Sequence, residues 1–172
     1  MQKIQAYLIG KIISSNSVEA HTLYKKSNFG EKTGGKIQYS FSEALFLVEK
    51  RKMDVSQKNK KIVGEELIKK FLKFDKKIQT KYPVFKNLRD KGYIVKTALK
   101  FGAEFRVYDK GAKPGKKHAK WIVFTDHESK KLTWHEFSSK NRVAHSTKKN
   151  LLLAIVDEEG DITYYEIKWL KP

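Results

Sequence analysis

The spacing of hydrophobic positions along the chain changes character twice. Over the first forty residues Ile4, Ala6 and Leu8 alternate with polar neighbours, Val18, Ala20 and Leu23 follow, and Gly10, Asn16, Asn28 and the Gly34-Gly35 pair interrupt them. Short strands and turns are expected there. From Ser40 the period lengthens: Phe41, Ala44, Leu45, Leu47 and Val48 recur at helical spacing, with Ser40 or Ser42 available as an N-cap. A second helix is expected over residues 64–78, where Leu67, Ile68, Phe71 and Leu72 form one face that Asp75 and Ile78 extend. A third is expected over residues 82–92, opened by Pro83 and closed by Gly92.

Beyond Gly92 the pattern returns to β, with strands expected over residues 93–102, 104–111, 118–126 and 131–137. One helix, residues 138–149, interrupts them behind a Ser138 or Ser139 cap. A buried-looking strand at 151–157 then turns through DEEGD into a last strand at 162–172. The change of period puts a boundary at about residues 80–85. The expected fold class is α+β, with a mixed α/β domain over residues 1–82 and a second domain over 83–172, a mainly β sheet flanked by helices.

Charge narrows the choice of partner. Lysine and arginine number 37 against 19 acids, a formal net charge of +18. Such a balance favours a polyanion, above all a phosphate backbone. The dense lysines of residues 58–81 read simply as a solvated helix face. No apolar run reaches the roughly 18–20 residues that span a bilayer, and the start lacks a secretory signal pattern, so the expectation is a soluble, cytoplasmic protein without a membrane partner. There is no cysteine, so thiolate chemistry and disulfides are excluded.

Chemistry must then come from His, Lys, Tyr, Ser or carboxylates. The histidines are His21, His118, His127, His135 and His145, and none shares a metal-binding spacing with another; the dense acids, Asp157, Glu158, Glu159 and Asp161, sit together in one turn. No metal and no cofactor is expected. RNA cleavage by the neighbouring ribose 2′-OH suits such a set, since it asks only for a proton acceptor, a proton donor and a fixed cation. Residue types alone do not choose among so many lysines.

A resemblance does choose. The stretch FGAEFRVYDKGAKPGKKHAKWIVF resembles the archaeal tRNA-splicing endonuclease family, whose pattern is a strand ending in Tyr, a Gly-containing loop, and a His opening the next strand. SSKNRVAHSTKKNLLLAIVDEEGDITYYEIKWLKP continues the likeness, as do SFSEALFLVEKRKMDVS and FKNLRDKGYIVKTALKFG. It covers residue 40 or so to the end. The resemblance implies Tyr108 as base, His118 as acid and Lys149 as transition-state cation. Lys148 competes with Lys149, but the family pattern selects Lys149, and an unbroken helix would put Arg142, His145 and Lys149 on one face. A free tyrosine is a neutral phenol at pH 7, so Tyr108 is the weakest of the three assignments. Arg142 matches a residue that clamps an extruded base in the family. Tyr164, Tyr165 and Trp169 are candidates for its companion, with Tyr165, Ile167 and Trp169 the better core set by strand alternation. The likeness further implies a bulge-helix-bulge precursor tRNA as substrate and a subunit interface at Asp157, Glu158, Glu159 and Asp161. The assembly implied is a homotetramer, with a heterotetramer or a non-catalytic RNA-binding subunit of the same complex as alternatives.

Overall fold

The computed structural model describes residues 2–172. They form two compact units, one ending at Tyr82 and one running Pro83–Pro172, each with its own sheet. The fold is α+β.

In the first unit, β1 (Ile4–Ile9) buries Ile4, Ala6 and Leu8 and exposes the residues between them. It pairs antiparallel with β2 (Ile12–Ser15) and parallel with β5 (Met53–Gln57). With β3 (Glu31–Thr33), β4 (Lys36–Tyr39) and β6 (Lys60–Ile62) the sheet order is β3-β4-β2-β1-β5-β6. Helix α1 (Val18–Ser27) falls where only strands and turns were expected; the Ser17 hydroxyl caps it by accepting from the Ala20 N–H. Ala20 is its one fully buried residue, so the segment lacks the apolar stripe by which a helix declares itself. Helix α2 (Phe41–Glu49) takes Ser40 as its cap, and the buried Glu43 carboxylate accepts from the Ser40 N–H at 3.0 Å and from the Gly30 N–H at 2.9 Å. Gly30 is required there. With φ at +76°, an added Cβ would stand 2.4 Å from Ile37 Cγ2.

The expected helix over 64–78 is two pieces. Helix α3 (Glu65–Leu72) stops, and Asp75 accepts from the Lys77 N–H at 3.0 Å to begin α4 (Ile78–Asp90). Asp75 thus acts as a cap instead of extending the first helix. As a result α4 starts before Pro83, which lies inside it.

The second unit is a five-stranded sheet, β11-β10-β9-β8-β7, built from β7 (Ile94–Ala98), β8 (Ala103–Tyr108), β9 (Trp121–His127), β10 (Asn150–Val156) and β11 (Ile162–Ile167). Only β9 and β10 run parallel, and α5 (Trp134–Ser146) is their crossover. On one face Ile122, Phe124, Leu151 and Leu153 pack with Ala144 of α5. On the other, the Phe85 ring of α4 lies 5.8 Å from that of Phe105. Cover on both faces explains why β9 and β10 read as unbroken hydrophobic runs.

Several expectations fail in this unit. Residues 131–137 are not a strand: Thr133 and Glu136 form a capping box, with the Glu136 carboxylate accepting from the Thr133 N–H and hydroxyl at 2.9 Å each. The Thr-x-x-Glu signature starts α5 there despite the aromatic, β-branched composition. On β11 the expected core set holds only at Ile167, which packs against the core on the α5 face. Tyr164 is half-buried on the other face, its hydroxyl donating to Asn87 at 3.1 Å and its ionisation pushed up by burial, whereas Tyr165 and Trp169 are 55% and 56% exposed.

Candidate active site

The site follows from strand register. Val107 pairs with Trp121 across β8 and β9, and Asn150 pairs with Trp121 across β10 and β9. The ladder continues one step outward: the Lys120 N–H donates to the Val107 carbonyl at 2.8 Å and the Asn150 N–H to the Lys120 carbonyl at 3.1 Å. Tyr108, Lys120 and Lys149 therefore stand abreast at one end of the sheet. Two strand spacings, roughly 10 Å of backbone, separate Tyr108 from Lys149.

Tyr108 ends β8 and is 5% exposed, in a small apolar cluster with Ile94, Ala112 and Ala119. Ala112 and Ala119 belong to the loop that follows, so its two ends are pinned beside the tyrosine. The loop turns through Gly111, just ahead of Ala112, and through Gly115, between the two alanines, both at positive φ. His118 lies in this loop, exposed and three residues ahead of β9; it does not itself open the strand. Pinning Ala119 places His118 at the rim of the same sheet end. Lys110, Lys113, Lys116, Lys117 and Lys120 lend the loop a strongly cationic character.

Lys149 is not helical, which corrects the face argument made for it. Helix α5 ends at Ser146; Thr147 is its C-cap, Lys148 has φ +55°, the Lys148 N–H donates to the His145 carbonyl at 2.9 Å and the Lys149 N–H to the Ala144 carbonyl at 2.9 Å. Those two bonds define a Schellman stop. It turns the Lys148 side chain outward and leaves Lys149 half-buried at the entry to β10. The Lys149 ammonium donates to the Thr147 carbonyl at 2.6 Å and lies 5.9 Å from the Phe101 ring. Burial, and after it the Arg106 charge, hold its ionisation below the ordinary lysine range.

Arg106, whose charge reaches Lys149, is a neighbour that the sequence reading passed over. The signal was present in RVY, since alternate strand residues share a face and Arg106 is two before Tyr108. Arg142 and His145 are exposed on α5, and the His145 ring lies 4.5 Å from that of Trp169. The acidic turn is elsewhere. Asp157, Glu158, Glu159 and Asp161 are at the opposite end of β10 from Lys149, a strand length of roughly 20 Å. There the Asp161 N–H donates to the Asp157 carboxylate at 2.8 Å. Among the described residues no three His, Asp or Glu side chains gather as a metal-ligand set, and no helix is long and apolar enough to cross a membrane.

Known proteins resemble both parts of the chain. Residues 78–164 match the family described as tRNA intron endonuclease, catalytic C-terminal domain, and residues 4–68 match the tRNA intron endonuclease N-terminal domain. The tRNA-splicing endonuclease of Pyrococcus abyssi is 40% identical over 98% of this chain and 97% of its own length. That of Methanothermobacter thermautotrophicus is 39% identical over 89% of each. That of Nanoarchaeum equitans is 44% identical over 76% of this chain and 87% of its own.

Proposed function

Because this chain belongs to the tRNA intron endonuclease family and is an endonuclease of tRNA splicing, we propose that Tyr108, His118 and Lys149 cut precursor tRNA at bulge-helix-bulge sites without a metal ion. The observation that carries the reading is the alignment of Tyr108 and Lys149 on one end of the sheet, with the His118 loop pinned to that end by Ala112 and Ala119.

The chemistry is an in-line transfer. The ribose 2′-oxygen forms a bond to the adjacent phosphorus as the bond from phosphorus to the 5′-oxygen breaks, giving a 2′,3′-cyclic phosphate and a 5′-OH. Tyr108 takes the 2′-OH proton or orients that hydroxyl. His118, exposed on its loop, gives a proton to the departing 5′-oxygen, and Lys149 offsets charge on the equatorial oxygens. Arg142, exposed on α5, holds an extruded bulge base.

One catalytic set per chain and an acidic turn roughly 20 Å from it favour an assembly in which Asp157, Glu158, Glu159 and Asp161 dock on a basic groove of a neighbouring copy. A homotetramer satisfies this, working in the cytoplasm. The test incubates the purified chain with an intron-containing precursor tRNA in EDTA and analyses the ends. The expected result is excision with cyclic-phosphate and 5′-OH termini, abolished in His118→Ala. Cleavage only after a second, different subunit is added overturns the homotetramer; undiminished activity of His118→Ala overturns the proton-donor role.

A further inference from the structure

Trp121 and Asn150 directly follow Lys120 and Lys149, open β9 and β10, and pair with each other across the sheet. Alternation turns their side chains to the face opposite that of Lys149. There they meet a single acceptor. One oxygen of the Glu166 carboxylate, on β11, accepts from the Trp121 indole N–H at 3.1 Å and from the Asn150 amide at 2.6 Å. The backbone partner of Glu166 on β10 is Leu152, so its side chain reaches back along the strand and across it to make these bonds.

The result is a crosspiece over three strands at the end of the sheet that carries Tyr108 and Lys149. Its far side is wedged: the Tyr93 ring stands edge-on to the Trp121 ring at 5.4 Å, and the Lys120 ammonium lies 4.3 Å from that ring's centroid. Asn150 is held twice, its backbone N–H by the Lys120 carbonyl at 3.1 Å and its side chain by Glu166. Lys149 lies between this clamp and the Schellman turn, so the base of its stem is fixed on both sides. The Glu166 carboxylate is exposed, and a chain of net charge +18 offers such a group many lysines. It takes two neutral donors instead. The bond from Trp121, and after it that from Asn150, hold its carboxyl below the usual carboxylate range. A charged acceptor also makes both bonds stronger than a neutral one would.

We propose that Glu166 is a positioning residue for cleavage, fixing the first rung of β9 and β10 through Trp121 and Asn150 and with it the place of Lys149. This rests on the reading of Lys149 as the transition-state cation. Glu166 touches no reacting group; it acts through geometry. Because one oxygen accepts both bonds, a glutamine in its place keeps that acceptor and loses only the charge.

The test measures kcat and KM on an intron-containing precursor tRNA, at a temperature where circular dichroism shows every variant folded. Glu166→Ala is expected to lower kcat about 10- to 100-fold with KM nearly unchanged, the upper figure being roughly that for a catalytic group 1 Å out of place. Glu166→Gln should recover most of the loss. In a Lys149→Ala background, Glu166→Ala should cost nothing further, since the group it positions is gone. An unchanged kcat in Glu166→Ala overturns the proposal, and so does an equal loss in the Lys149→Ala background. A Glu166→Gln variant as slow as Glu166→Ala overturns it too, because the charge and not the acceptor would then matter. Heteronuclear NMR of the Trp121 indole N–H and of the Lys149 side chain is read on the same variants. Both signals should shift in Glu166→Ala and return towards wild type in Glu166→Gln. Wild type that leaves the tRNA uncut defeats the nuclease reading; the Lys149 signal then decides the positioning role, upholding it if shifted in Glu166→Ala and overturning it if unmoved.

Discussion

Lys148 is the place where the backbone can be tested most directly. A lysine at φ +55° is in the left-handed region, where an L side chain costs about 1–2 kcal/mol relative to right-handed backbone. Both bonds of the Schellman stop are made by backbone N–H groups, from Lys148 to His145 and from Lys149 to Ala144, so they survive any side-chain change. Lys148→Gly removes the strain but frees the unfolded chain, a loss of about 0.5–1 kcal/mol. Lys148→Ala removes the same ammonium and keeps the strain. The glycine variant should therefore be more stable than the alanine variant by about 0.5–1 kcal/mol, which raises Tm by about 1–4 °C. Circular dichroism melts of the two, run side by side, provide the measurement. Both lose the Lys148 charge, so any drop in RNA affinity should be common to them. A glycine variant that melts at or below the alanine variant would refute the account of how α5 ends and Lys149 is presented.

Thr133→Ala removes the cap of α5 and should cost about 1 kcal/mol in urea unfolding, with Thr133→Ser near wild type. The bonds from Thr133 hold the Glu136 carboxyl below its usual range, so its contribution is present above the ordinary carboxylate range and fades as pH falls through the lowered value. The gap between wild type and Thr133→Ala should accordingly narrow in acid. Arg106→Gln removes one of the two causes that depress Lys149, so Lys149 keeps its proton to higher pH and the alkaline limb of kcat/KM should move upward. A limb that stays in place or moves down would separate Arg106 from Lys149.

Particular residues explain what could be read in advance. Helix α2 was legible because Ser40, the 3.6-residue apolar spacing and Glu43 all agree. Helix α1 was not, because its partners are caps and polar turns, and only Ala20 reports burial. Asp75 looked like one more position on a long helix, and only the hydrogen bond to the Lys77 N–H reveals it as a new start. On β11, alternation separates Tyr164 from Tyr165 correctly but cannot say which face α4 covers; the bond from Tyr164 to Asn87 does. The same limit applies at the site. Motif spacing named Lys149 over Lys148, yet the reason the two neighbours differ is a positive φ that no helical wheel contains.

That difference bears on how a lysine can act as a fixed cation. A lysine continuing a helix would extend a flexible stem into water, strongly hydrated and mobile. Lys149 instead enters a strand half-buried, with its ammonium bonded at 2.6 Å to the carbonyl of Thr147, the C-cap of α5. The end of a helix carries roughly half a negative charge, which works against, without cancelling, the burial and the Arg106 charge that lower the ionisation of Lys149. The cation is thus held by a partner that is itself only a dipole. In the proposed mechanism a phosphorane bearing full negative charge competes well for such an ammonium, whereas a carboxylate in the place of Thr147 would neutralise it before RNA arrived. Ending α5 at Ser146, three residues before Lys149, supplies that dipole and the direction in which the charge points.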